Sequence, residues 1–578
     1  MTGSLSVAEL SRRYGAGTAR PEDVVNEVYD RIAARGDDHV WITLRPREEV
    51  LAEAAALPDG PLYGVPYAVK DNIDVAGLPT TAACPEFAYT PDKSAPIVER
   101  LRSAGALLIG KTNLDQFATG LSGTRSPYGS CESPLVPGLI SGGSSSGSAV
   151  AVGAGLVSFA LGTDTAGSGR VPAAFTGTVG LKPSRGLVST LGMVPACASL
   201  DCASVFAASV ADAWTVLTAI AGPVGADPWS RSLPVGELTP TGPLRIGVPR
   251  RLEFFGDGAA AVAFKQVLAR LCDLGHTLVQ VEFVPFLQAG KLLYGGAWVA
   301  ERLTAVGAFA ASNPRAVHPV TRRVLRPGAS MSAADAFADA HRLQELRAET
   351  RDVWRRIDAL AVPTIPTTFT HKEMREDPIG RNKTLGHYST FANLLDLAAI
   401  AVPGGMTPAG RPHGLTLLAP AGKDALLASA AAAFAAEPIA APVEGVDEAV
   451  LAVVGAHRAG QPLHGRLTAL GARPHGVALT ASAYRLFALP GGDVARPGLV
   501  RVGEGGAAVE VELYALSAAS LGHLLTETAP PLGLGTVELA DGRSVHGFLC
   551  ESYATGDARD ISGHGSWPAY LEGAHAQQ

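Results

Sequence analysis

Apolar residues recur at helical spacing over residues 7–34, where Val24, Val25, Val28 and Ile32 share one face behind the start signal Pro21-Glu22-Asp23. This predicts a helix packed against a main body. A turn around Pro61 and Gly64 then leads into the apolar strand Val65-Pro66-Tyr67-Ala68-Val69, which ends on Lys70. The run Ala106-Leu107-Leu108-Ile109 reads as a second buried strand. Leu244-Arg245-Ile246-Gly247-Val248, followed by helical spacing over 259–274, repeats the alternation and predicts a mixed α/β domain. Residues 333–360 read as a long helix rich in Arg and Glu, and residues 428–436 as a closing alanine-rich helix.

Beyond this the pattern changes. Residues 437–446, EPIAAPVEGV, contain two prolines and no clear periodicity, so they predict a linker. After it come short apolar strands: one beginning at Leu451 and leading to His457, then residues 484–489, the strictly alternating Val509-Glu510-Val511-Glu512-Leu513-Tyr514, and residues 535–539 and 545–549. The expected organisation is a first domain over 1–436, a linker over 437–446 and a smaller β-rich domain over 447–578. No internal repeat is visible.

The centre of the chain is residues 140–183, built from Gly, Ser, Ala and Thr with only Asp164, Arg170 and Lys182 charged. Two serine-bearing turns, Gly142-Gly143-Ser144-Ser145-Ser146-Gly147 and Thr165-Ala166-Gly167-Ser168-Gly169, flank an apolar segment from 149 to 161. A flexible linker has no use for a buried middle. Small residues let backbone approach a ligand closely, so the stretch predicts two loops presenting serines to one site. Lys70, behind its apolar run, joins them as a candidate: burial would favour the neutral amine that a general base requires.

Composition narrows the function classes. At 578 residues the chain exceeds one ordinary domain, and 47% hydrophobic with 17% charged residues supports a large core. A net charge of −7 argues against nucleic acid or an anionic membrane as partner. Cys84, Cys131, Cys197, Cys202, Cys272 and Cys550 form no C-x-x-C pair, which predicts free thiols and no zinc site. No secretory h-region opens the chain and glycines interrupt its longest apolar run, so a cytoplasmic, membrane-free protein is expected.

Two motif matches point elsewhere. Gly105 to Thr112 spells the phosphate-loop pattern G-x-x-x-x-G-K-[ST], but the intervening residues read as strand, where a phosphate loop exposes backbone N–H groups. Gly143-Ser144-Ser145-Ser146-Gly147 matches the G-x-S-x-G elbow centred on Ser145. Asp358 and His387 are available as triad partners, yet that reading leaves Lys70 and the second serine turn unused.

The stretch resembles the signature of the amidase signature family, serine hydrolases with a Ser–Ser–Lys triad. Position by position, Ser168 matches the nucleophile, Ser144 the serine that follows a cis peptide bond, and Lys70 the lysine; Arg170-Val171-Pro172 and Gly180-Leu181-Lys182-Pro183 match the flanks. Ala166 stands where a glycine is commoner, and Gly169 where a bulkier apolar residue is usual. The resemblance implies an α/β amidase-signature fold, a mixed sheet covered by helices, with a smaller β-rich α+β domain behind it; residues 358–366 resemble the buried strand that lies late in that fold. It also implies an oxyanion hole from the amides of Thr165, Ala166, Gly167 and Ser168.

A branch of that family, the allophanate hydrolases, is similar at two further places. Tyr294-Gly295-Gly296-Ala297-Trp298-Val299-Ala300-Glu301-Arg302 resembles their substrate-holding segment, with Tyr294 and Arg302 in the matching positions. The chain from about Val450 onward resembles their extra domain. The resemblance implies hydrolysis of allophanate in urea or cyanuric acid degradation, by a homodimer without metal or organic cofactor. Gly120 is implied as a backbone contact, and His457 as a proton-transfer residue of the second domain. If the 294–302 segment is helical, Tyr294 and Arg302 lie about two turns apart on one face. Other readings stay open: the amidase component of a tRNA-dependent amidotransferase, an amidase for neutral amides, and a second domain serving assembly alone.

Overall fold

The computed structural model describes residues 4–437, 448–491 and 495–575, so the expected linker, Glu437 apart, lies outside the described residues. The chain divides into two compact units, Met1–Ala440 and Ala441–Gln578.

The first unit holds a mixed sheet of eleven strands among its described residues: β1 Trp41–Leu44, β2 Pro66–Lys70, β3 Leu107–Thr112, β4 Phe159–Asp164, β5 Val179–Lys182, β6 Cys202–Ala207, β7 Arg245–Pro249, β8 Thr277–Val281, β9 Ala359–Pro363, β10 Leu397–Met406 and β11 Pro412–Pro420. Their order is β1-β3-β2-β4-β6-β5-β10-β11-β9-β7-β8. The β2, β3 and β4 strands are mutually parallel, as are β7, β8 and β9, while the middle of the sheet is antiparallel. Successive side chains of a strand point to opposite faces. In β9, Ala359 and Ala361 therefore join one core with Val24, Val28 and Leu10, while Leu360 and Val362 join another with Phe283, Phe286 and Phe391. This two-sided burial explains why β2, β3, β4 and β6 are buried throughout.

Some expected elements change shape. Residues 7–34 form two helices, Val7–Gly15 and Pro21–Arg35, because Gly17 at φ +64° breaks the first and Pro21 opens the second. The apolar segment between the serine turns is a helix, Ser146–Gly153, followed by β4. The long helix ends at Trp354, before β9, not at residue 360. Lys111 of the phosphate-loop match lies in β3 with its ammonium buried against Asp71 at 3.1 Å, the Pro79 carbonyl and the Thr80 hydroxyl. Ser145 bonds the Thr163 carbonyl at 3.2 Å, and Asp358 pairs with Arg245, so no Ser145 triad forms.

In the second unit β12 Glu448–Val453, β13 Arg473–Leu479, β16 Glu510–Ser517, β17 Leu532–Glu538 and β18 Ser544–Cys550 make a sheet ordered β13-β16-β12-β18-β17. A smaller sheet joins β14 Tyr484–Ala488, β15 Pro497–Arg501 and β19 Arg559–Asp560. The alternation in β16 buries Val511 and Leu513 and leaves Glu510 and Glu512 half-buried, as its period of two requires.

Candidate active site

Parallel pairing of β2 and β4 brings Lys70 and Thr163 to neighbouring carboxyl ends, the edge where open α/β sheets bind ligands. Lys70 Nζ donates to Thr163 Oγ1 at 2.6 Å and to Ser144 Oγ at 2.8 Å. All three side chains are buried. Burial brings the Lys70 amine down to about 7, against the opposing pull of Asp115, Asp201 and Asp164. The carboxylate next in sequence, Asp71, turns away into the buried pair with Lys111.

Ser144 follows a cis Gly143–Ser144 peptide bond and precedes the helix Ser146–Gly153. A side chain at Gly143 would strike Asp115 Oδ2 at 2.3 Å and the Gly123 amide nitrogen at 2.4 Å. Asp115 accepts the amides of Ser122, Gly123 and Arg125, and its own amide donates to the Ser144 carbonyl at 3.0 Å. It thus ties the loop after β3 to the first serine turn.

The second serine turn is built around Asp164. Its carboxylate accepts the amides of Gly167 at 2.9 Å and Gly169 at 3.0 Å, and meets Arg170 through Nε and Nη2 at 2.9 and 3.0 Å. Burial works to raise the Asp164 carboxyl, but Arg170 and these donors hold it below the usual carboxylate range. Removing one partner of such a buried pair costs about 3–5 kcal/mol, so the turn is firmly set. Gly167 sits at φ +128°, where an added Cβ would also meet Ser389 Oγ at 2.3 Å. At Gly169 a Cβ would lie 2.5 Å from the Ser204 Cβ, which accounts for glycine at this position.

Of the four amides expected to form an oxyanion hole, that of Gly167 is engaged by Asp164. Those of Thr165, Ala166 and Ser168 have no acceptor among the described residues. Ser168 Oγ donates to the Gly120 carbonyl in a long contact of 3.5 Å, and no hydrogen bond joins it to Ser144. Gly120 is packed so closely that a Cβ would meet Asp115 Oδ2 at 2.4 Å.

Tyr294 and Arg302 do come together, but not along one helix. One helix, Val284–Gly295, ends after Tyr294; Gly296 is extended, and the next helix, Trp298–Ser312, carries Arg302. The break folds the guanidinium over the Tyr294 ring, 5.0 Å from its centroid. Arg302 is 1% exposed, yet only Nη1 has a partner, Thr119 Oγ1 at 3.3 Å; Nε and Nη2 are buried without an acceptor among the described residues. Thr119, which Nη1 meets, adjoins Gly120, whose carbonyl accepts the Ser168 contact.

Sequence reasoning missed Thr163, Asp115 and Asp201 as site residues, and gave Asp164 and Arg170 no role. A signal existed for the last two: charges isolated among small buried residues must be paired. Asp201 accepts from the Thr165 hydroxyl, and burial pushes its carboxyl up to about 6.

In the second unit, His457 stacks on Phe548 with centroids 4.8 Å apart and planes 3° from parallel. It lines a cavity of about 170 Å³ with Arg466, Arg496, Glu527 and Thr528. Burial, then Arg466, lowers its affinity for a proton, which favours the neutral imidazole.

Residues 23–428 match the amidase family model, and residues 449–572 match that of the allophanate hydrolase C-terminal domain. Urea amidolyase of Saccharomyces cerevisiae is 40% identical over 93% of this chain, which spans 31% of that protein. The chain thus covers about a third of the urea amidolyases it matches. A glutamyl-tRNA(Gln) amidotransferase subunit from Natronomonas pharaonis is 36% identical, covering 65% of this chain and 96% of its own. A structure of Kluyveromyces lactis allophanate hydrolase superimposes with a TM-score of 0.76 at 37% identity, covering 98% of both chains.

Proposed function

The chain belongs to the amidase family, and on that premise we propose that it hydrolyses allophanate, with Lys70, Ser144 and Ser168 as its catalytic triad. The observation that carries the substrate is Arg302, a buried guanidinium with two donors unpartnered among the described residues, its third held by Thr119 next to the Gly120 carbonyl that Ser168 meets. A planar carboxylate fills such a fork with two parallel hydrogen bonds. A neutral amide would leave the charge buried and unanswered. The amidotransferase relative matches only 65% of this chain, and the allophanate hydrolase C-terminal domain family match supports the main reading over that alternative.

In this reading neutral Lys70 takes the proton of Ser144 Oγ, and Ser144 takes that of Ser168. Ser168 exchanges its long contact to Gly120 for Ser144 when substrate enters; such bonds are often long before binding. Ser168 Oγ attacks the terminal amide carbon, and the amides of Thr165, Ala166 and Ser168 receive the oxyanion. Gly167 serves by holding the turn on Asp164. The C–N bond breaks, the relay returns the proton to the leaving nitrogen, and ammonia departs. Water then cleaves the acyl-enzyme to N-carboxycarbamate. None of these steps calls for a metal or organic cofactor.

The pH dependence tests the base. A lysine acts as a base only when neutral, and Lys70 loses its proton at about 7. kcat/KM for allophanate is therefore expected to rise about tenfold per pH unit below that value and to level off above it. Asp201, pushed up to about 6, titrates within that limb. A rate that falls as pH rises through 7 would sink neutral Lys70 as the base.

The second unit is read as the site that decarboxylates N-carboxycarbamate, with His457 moving the proton. A chain ending at Ala436, and the full chain carrying His457→Asn, should release the first ammonia at an unchanged rate while N-carboxycarbamate accumulates, followed by ¹³C NMR. Product distributions identical to wild type would assign the unit to assembly. The reading further takes the protein as a cytoplasmic homodimer, which light scattering on the purified chain tests for the dimer and cell fractionation for the location.

A further inference from the structure

Residues 196–201 run between the oxyanion turn and the helix of Arg302, and the proposed reaction does not use them. At one end the Asp201 carboxylate accepts the Ala196 amide at 2.8 Å, the Cys197 amide at 3.2 Å and the Thr165 hydroxyl. Thr165 opens the turn that carries Ala166 and Ser168. At the other end Ser199 donates its amide and its hydroxyl to the two oxygens of Glu301, each at 2.7 Å. The Cys197 thiol adds a contact to the Trp298 carbonyl at 3.5 Å.

Glu301 immediately precedes Arg302. Their helix, Trp298–Ser312, begins where the chain changes direction and has no side-chain cap of its own. It buries Val299, Arg302 and Val306. Two carboxylate contacts tie its start to other segments: Glu301 with Ser199, and Asp339 with the Ala297 amide at 2.6 Å. A carboxylate in a first helical turn is also favoured by the helix dipole.

We propose that residues 196–201 form a strut setting the distance between the oxyanion turn and the Arg302 guanidinium, with Asp201 positioning the turn and Glu301 positioning Arg302. The inference rests on reading Arg302 as the carboxylate receptor. In allophanate one nitrogen separates the reacting carbonyl from the carboxylate, so the two binding groups cannot adjust independently. The sequence-distant loops that bind the two ends need a common support, and this segment touches both.

The test compares variants of the full chain on allophanate, on malonamate as a second carboxylate-bearing amide, and on neutral biuret. Glu301→Gln and Ser199→Ala should raise KM for both acids about five- to tenfold with kcat nearly unchanged, and leave biuret hydrolysis as it was. Ser199→Thr, which keeps the hydroxyl, should restore the wild-type KM. Asp201→Asn should instead lower kcat about tenfold on every substrate the wild type accepts. Should that variant not fold, Thr165→Val cuts the same contact from the other side. Equal losses on acids and biuret for Glu301→Gln, or no change in any variant, would overturn the strut. Wild-type activity on malonamate but not allophanate would defeat the substrate reading while the strut is judged on malonamate. A wild type acting on no carboxylate-bearing amide would overturn both.

Discussion

Ser168→Ala is expected to release no ammonia from allophanate above the uncatalysed rate, because no other group in the site can form the acyl-enzyme. Lys70→Ala and Ser144→Ala are expected to fall by several orders of magnitude, on the order of 10⁴-fold or more in kcat. Relay members act as a unit, so the double variant should lose little beyond the worse single one. The geometry supplies the reason. Lys70 Nζ meets Ser144 Oγ at 2.8 Å in a site that excludes water, and no second base lies within its hydrogen-bond network. Thr163 only accepts from the amine there and cannot replace it. Ammonia release by a coupled assay, with acyl-enzyme trapping by mass spectrometry in parallel, checks both claims. Wild-type turnover by Ser168→Ala would remove the assignment.

Arg302→Lys should separate this site from that of a general amidase. Lysine keeps the charge but presents a point donor where the guanidinium offers a fork. The Nε and Nη2 donors, buried and unpartnered, are the ones lost. The expected penalty is on the order of 2–4 kcal/mol in kcat/KM for allophanate, or roughly thirty- to a thousand-fold. Hydrolysis of biuret should hardly change. Tyr294→Phe retains the ring under the guanidinium and removes only a hydroxyl, so it should lose about 0.5–1.5 kcal/mol. Equal damage by Arg302→Lys on both substrates would make the residue structural, and the case for allophanate would then rest on the second unit.

By itself the sequence determined the elements whose signal is local. Apolar runs announced β2 and β3 because strands buried on both faces carry no alternation to obscure them. The period of two in β16 was equally plain, and so was the change of character after residue 437. The two glycine- and serine-rich turns and Lys70 were legible as one candidate site, since their residue types serve close backbone approach.

Tertiary structure decided what depends on partners distant in the chain. Apolar spacing runs through the segment between Tyr294 and Arg302 and hides the break at Gly295-Gly296, where one helix ends before the next begins at Trp298. The pair meets by folding back, not by two turns along one axis. Nor could the sequence say that Gly167 spends its amide on Asp164, or that Asp115 and Asp201 brace the two serine turns. A carboxylate looks the same in sequence whether it is solvated or accepts three buried amides. Only the neighbours brought by the fold, and the water they displace, bring the Lys70 amine down to about 7 and leave two Arg302 donors without an acceptor among the described residues.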